Sequence, residues 1–180
     1  MSKIAVVIPE ANFRDEELFV PLEVWKKAGI ETTLFSTTVG EVVGDLGGKA
    51  TPQALLGTLD VDKFDAIAVI GGSGTITHLW ENAELRGLLL AFEARKKLVT
   101  SICAGSVTLA RAGLLSGKAA TTYPVELMIN ELKAHGALYS ADHAIRVGNI
   151  VTGDGPDGAG AYANMVVAAL QHPEVVSAGN

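Results

Sequence analysis

A single cysteine, Cys103, ends the apolar run Leu98 to Ile102 and is followed at once by Ala104, Gly105 and Ser106. Small residues at that point let a buried strand turn abruptly into a helix, an elbow that lifts the side chain above the sheet. Unpaired N–H groups at the start of such a helix favour an anion, so the pattern predicts a thiol with a lowered pKa. The same residues fit a plain buried thiol, a common fate of lone cysteines, and the local pattern leaves both readings open.

Arg14-Asp15-Glu16-Glu17 supplies the second polar element. Carboxylates in a first helical turn complement the dipole and cap free N–H groups, which accounts for Asp15 and Glu16. Glu17 differs, because it adjoins Leu18 and Phe19 one turn before Pro21 and is placed to face inward over the strand ends. A carboxyl group beside a thiolate in an apolar pocket resists ionisation and becomes a hydrogen-bond donor or proton shuttle. Gly71 and Gly72 end another apolar run. Their N–H groups are open to close approach, so a donor here and one at Ala104 would make an oxyanion site, with a tight ligand-free turn as the alternative. His78 follows that turn closely and is the least bland of four scattered histidines. Trp25 and Trp80 read as core or interface aromatics.

The elements that must position these groups alternate. Lys3 to Ile8, Thr32 to Ser36, Phe64 to Ile70 and Leu98 to Ile102 read as buried strands. Helical spacing runs from Asp15 through Leu18, Leu22 and Trp25 to a stop at Gly29, again over Leu79 to Arg95, and over Val107 to Ala112. Thr38 to Pro52 reads as a hairpin or excursion. Leu138 to Ser140, Ala144 to Val147 and Asn149 to Thr152 read as short strands, Ala159 to Leu170 as a closing helix, and His172 to Asn180 as a loosely held tail. The rhythm implies one α/β domain over residues 1–180, a parallel sheet covered on both faces, with ligands at the carboxyl ends of the strands.

Composition removes several function classes. In 180 residues, 48% are hydrophobic and 19% charged, which fits a packed globule and not disorder. A net charge of −6, without a Lys or Arg run, argues against nucleic acid. One free thiol, no apolar run long enough for a signal peptide or a membrane span, and no disulfide framework together imply a reducing compartment, the cytoplasm. Gly153-Asp-Gly-Pro-Asp-Gly158 matches a dinucleotide fingerprint. However, Pro156 lacks an N–H, Asp154 and Asp157 repel phosphate, and too little chain follows, so it reads as a turn and helix start. Gly113 to Ala119 lacks the spacing and the Ser or Thr of a phosphate loop. No HExxH, CxxC or GxSxG occurs.

Taken together, Glu17-Leu-Phe-Val-Pro21, Asp65-Ala-Ile-Ala-Val-Ile-Gly-Gly72, Ser101-Ile-Cys-Ala-Gly105, Ala112-Gly-Leu-Leu-Ser-Gly-Lys118 and Thr121-Thr-Tyr-Pro124 resemble the ThiJ/PfpI superfamily across nearly the whole chain. The resemblance implies a flavodoxin-like α/β sandwich, commonly dimeric. It places Cys103 as nucleophile, Glu17 as its acid partner, and Gly72 with Ala104 at the oxyanion site. Tyr123 stands where many members carry histidine, which weakens a peptidase reading, since tyrosine is a poor general base at neutral pH but a serviceable donor. Ser106 stands where deglycase-like members have proline.

These readings imply a cysteine-dependent enzyme acting on a small reactive carbonyl through a hemithioacetal. It would need no cofactor or metal and would work as a homodimer, away from nucleic acid and membranes. Gly71, Tyr123 and His78 join the expected substrate-binding set. A peptidase or amidase, and a redox sensor or chaperone whose cysteine oxidises, are the alternatives.

Overall fold

The computed structural model describes residues 1–173. Seven strands form the main sheet: β1 (Lys3–Val7), β2 (Glu31–Ser36), β3 (Ala54–Leu55), β4 (Ala66–Val69), β5 (Leu98–Ile102), β6 (Ala144–Val147) and β7 (Ile150–Gly153). Their order is β6-β7-β5-β4-β1-β2-β3, parallel throughout except for the antiparallel β6–β7 pair at one edge. β1, β4 and β5 are apolar and almost wholly buried because helices cover both sheet faces. The chain therefore has the expected α/β, flavodoxin-like architecture.

The helices are α1 (Asp15–Lys27), α2 (Ser73–His78), α3 (Ala83–Ala94), α4 (Gly105–Arg111), α5 (Glu126–Ala134) and α6 (Ala159–Gln171). α1 and α6 pack together, and the Trp25 indole N–H donates to the Ala163 carbonyl at 3.1 Å while its ring meets Tyr162 edge to face. Trp80 is also core, donating to the Ala104 carbonyl at 2.8 Å beneath the elbow.

Several expected boundaries move. The helix expected over Leu79 to Arg95 begins later, at Ala83, where Asn82 caps α3 by accepting the Leu85 N–H at 2.9 Å, and the short α2 before it, ending at His78, was not anticipated. Thr38 to Pro52 does contain a hairpin, pairing Val42–Val43 with Lys49–Ala50. Asp15 does not cap α1. Its carboxylate instead accepts the Leu46 and Gly48 N–H groups at 2.9 and 2.7 Å, tying the hairpin tip to the helix start. α5 and β3 were not anticipated. The Gly153–Gly158 segment is a turn leading into α6, as expected. Of the anticipated tail, residues 174–180 lie outside the described residues.

Candidate active site

The strand order places β1 between segments that leave it in opposite directions: β2 and β3 lie on one side, and β4, β5 and β7 on the other. Such a switch leaves a crevice at the carboxyl ends of β1 and β4, where neighbouring connections diverge. The Gly71–Gly72 turn, the Cys103 elbow and the start of α1 meet in this crevice.

Cys103 has φ +56°, a left-handed conformation rare outside glycine and typical of a sharp turn with an aimed side chain. The turn is held from several directions. Cys103 N–H donates to the Gly153 carbonyl at 3.0 Å, and its carbonyl accepts the Thr122 hydroxyl at 2.8 Å and the Ser106 N–H at 3.1 Å. Gly105 is required where it stands, because a Cβ there would run into the Val69 carbonyl. Beneath the turn, the Ser101 and Ser106 hydroxyls pair at 2.9 Å.

Glu17 is fully buried on α1, and neither carboxyl oxygen has a hydrogen-bond partner of good geometry. The carboxyl lies against the Cys103 thiol and the Gly71 backbone, so a side chain at residue 71 would collide with both Glu17 Oε1 and Cys103 Cβ. Burial, only partly offset by the thiol, raises the Glu17 pKa to about 8. The thiol is also pushed up, first by burial and then by the Glu17 charge, while the Ala104 and Gly72 N–H groups pull the other way. The lowered thiol pKa expected from the elbow is therefore corrected. Desolvation and a neighbouring acid outweigh two backbone donors, so below about pH 8 the pair holds both protons.

Gly72 has φ +118°, and a Cβ there would meet the backbone at Asn12 and Arg14. Its N–H and that of Ala104 bear on the sulfur. The Gly71 carbonyl accepts the Arg14 N–H at 3.0 Å, so Gly71 braces the site from behind and does not line the cavity. Tyr123 stands at the cavity mouth, 40% exposed, with its ring close over Gly155. His78 does not join the cavity. It lies on the last turn of α2, with Nδ1 3.4 Å from Glu10.

The cavity holds about 200 Å³ and is lined by Arg14, Glu17, Asp45, Gly72, Ser73, Ile76, Cys103, Tyr123, Met128 and Pro156. Sequence reasoning did not single out Asp45, Ser73 or Met128: Asp45 and Met128 come from segments distant in the chain, and Ser73, beside Gly72, has its role only through its bonds to Asp45. Asp45 carried one readable signal, an acidic residue in a glycine-rich turn. A larger cavity of about 510 Å³ opens at the opposite end of the sheet, beside Asp65, Leu98 and Asn149. Its Lys97 ammonium is spent on the Val61 and Phe64 carbonyls, and its Asn149 amide on Glu93 and the Lys97 carbonyl. Among the described residues, no group of three or more metal-binding side chains occurs and no helix is long and apolar enough to cross a membrane.

The DJ-1/PfpI family pattern matches residues 2–169. The chain belongs to the DJ-1/PfpI family. One relative, protein MJ0967 of Methanocaldococcus jannaschii, is 40% identical over 170 residues, covering 94% of this chain and 83% of its own. The crystal structure of a ThiJ/PfpI domain protein from Brachyspira murdochii superposes with a TM-score of 0.91 at 32% identity, covering 96% of this chain and 98% of that one. The DJ-1/PfpI family includes enzymes. The glutathione-independent glyoxalase DJR-1.2 of Caenorhabditis elegans is 24% identical over 169 residues, covering 94% of this chain and 89% of its own. The isonitrile hydratase of Pseudomonas putida is 38% identical over 96 residues, covering 53% of this chain and 41% of its own.

Proposed function

We propose that the chain is a cysteine-dependent enzyme that converts a small 2-oxoaldehyde to the 2-hydroxy acid. The observation that carries this reading is the Glu17 carboxyl, buried, unpartnered and beside the Cys103 thiol. An acid kept in such a place at a cost in desolvation is suited to moving protons. The glyoxalase among the relatives supports the same class.

In this mechanism the Cys103 sulfur bonds to the aldehyde carbon as its proton leaves toward Glu17. The carbonyl oxygen takes up negative charge within reach of the Gly72 and Ala104 N–H groups and is then protonated, giving a hemithioacetal. Glu17 removes the proton from that carbon while the adjacent ketone oxygen takes up a proton, giving an enediol; return of a proton to the former ketone carbon, with loss of the hydroxyl proton from the sulfur-bearing carbon, leaves a 2-hydroxyacyl thioester. Water hydrolyses the thioester, releasing the 2-hydroxy acid and the thiol, so one water is added overall and no external oxidant or reductant is consumed.

A peptidase reading has less support. The cavity is small for a peptide, and none of the side chains lining it is a histidine. A homodimer is the assembly we propose, because Phe19 and Val20 on α1 and Val43 and Leu46 on the adjoining hairpin are exposed apolar side chains. The deciding experiment for function is lactate formation from methylglyoxal, followed by NMR in D2O. Solvent deuterium at C2 of lactate is expected, and absence of lactate from the intact chain overturns the reading.

A further inference from the structure

The charges around the cavity are unevenly matched. Arg14 is the one cationic side chain among the described residues lining it. Its guanidinium is already committed to Glu16, with Nε to Oε2 at 2.7 Å and Nη2 to Oε1 at 3.3 Å. Its backbone N–H is tied to the Gly71 carbonyl, which fixes the start of the side chain. Asp45 stands at the rim beside the start of α1, its N–H donating to the Phe13 carbonyl at 2.7 Å. Its two oxygens accept the Ser73 N–H at 3.0 Å and the Ser73 hydroxyl at 2.6 Å, which fixes its negative charge in place; Arg14 acts on it without a hydrogen bond while bound to Glu16, so one cation faces two carboxylates. Deeper in, the Glu17–Cys103 pair becomes anionic when it gives up a proton.

An entering carboxylate therefore passes one fixed negative charge, finds the only cation neutralised, and approaches a second negative charge at the reacting atom. An uncharged electrophile of the same size meets none of these obstacles. We propose that this cavity selects uncharged electrophiles over carboxylate-bearing ones, with Asp45 as the residue that sets the selection. As a statement about substrate it rests on the proposed function above, and it narrows the substrate class to neutral 2-oxoaldehydes. Exposed charges acting over the width of a small cavity give selection of about tenfold, reduced by salt.

Iodoacetamide and iodoacetate test this without requiring turnover, since they are nearly the same size, both alkylate sulfur with loss of iodide, and differ in charge. The ratio of their second-order rates at Cys103 is compared with the same ratio for 2-mercaptoethanol, at low salt and in 1 M KCl. The expected result is a ratio about tenfold above the reference at low salt, falling toward it in 1 M KCl and in Asp45→Asn. A wild-type ratio equal to the reference, or one that neither salt nor Asp45→Asn changes, overturns the proposal. Raised selectivity without lactate formation from methylglyoxal leaves charge selection standing and removes only the enzymatic reading. A thiol inert to both reagents from pH 7 to 10 overturns both.

Discussion

The Glu17 carboxyl and the Cys103 thiol lie side by side over the Gly71 backbone, and burial first, then the nearness of the acid, raise the pKa of the thiol. Two such groups titrate as a pair, and the singly protonated form can place its negative charge on either atom. That form is the nucleophile in the proposed mechanism.

The rate should therefore rise with pH. We expect kcat/KM for methylglyoxal, and the alkylation rate of Cys103, to climb through an apparent ionisation near 8, where the pair loses its first proton. Glu17→Gln should remove that step and lower kcat by at least ~100-fold, the scale of a lost general acid–base catalyst. A wild-type thiol that titrates like free cysteine and is unaffected by Glu17→Gln would contradict the pairing.

Stability should move the other way. Unfolded Glu17 ionises near its ordinary value of 4.5, whereas the folded chain holds the proton to about 8. Between these pH values unfolding releases a proton, so this group's contribution to stability is complete below 4.5 and is lost progressively up to 8. Urea unfolding of Glu17→Gln should show a shallower fall with pH, and at pH 8.5 the variant should exceed wild type by a few kcal/mol, on the order set by that shift.

Cys103→Ser should abolish lactate formation, while Ser106→Pro should retain it. Proline at residue 106 forfeits the Ser106 N–H bond to the Cys103 carbonyl and the hydroxyl pair with Ser101. The first turn of α4 tolerates proline, and the Thr122 hydroxyl still holds the carbonyl. The expected cost is about 1–2 kcal/mol in chemical denaturation, with turnover kept.

Gly105→Ala should damage the elbow itself. The added methyl meets the Val69 backbone, which cannot rotate away, so a loss of about 2–4 kcal/mol in thermal or urea unfolding is expected. Gly160→Ala, where nothing lies within 4 Å of the new Cβ, is the matched control and should be neutral or stabilising.

Asp15→Ala should loosen the hairpin. Two N–H groups, of Leu46 and Gly48, lose their acceptor, and a cost of roughly 1–3 kcal/mol follows. Because Asp45 immediately precedes Leu46 in the same turn, faster amide hydrogen exchange over residues 44–48 should accompany a change in cavity reactivity.

The sheet was legible because β1, β4 and β5 are buried on both faces and so read as continuous apolar runs, to within two residues of their ends. α5 was missed. Only Met128 and Leu132 of its nine residues are buried, too narrow a stripe to stand out from the loops around it. Cys103, Glu17 and the Gly71–Gly72 turn were legible as separate local patterns, since an elbow, an acid among apolar neighbours and paired glycines each leave a mark on adjacent residues. The sequence determined which groups exist and which strand or helix end carries each.

Only tertiary structure decided their chemistry. Whether a carboxyl and a thiol 86 positions apart share a dry pocket depends on the side-by-side parallel pairing of β1, β4 and β5. That shared pocket reverses the thiol shift expected from the elbow, because desolvation acts on the whole enclosure while backbone donors act on one atom. In the same way, His78 at the end of α2 faces Glu10 while Asp45 in the hairpin turn reaches the rim, because each side chain's direction is set by what packs around it in space.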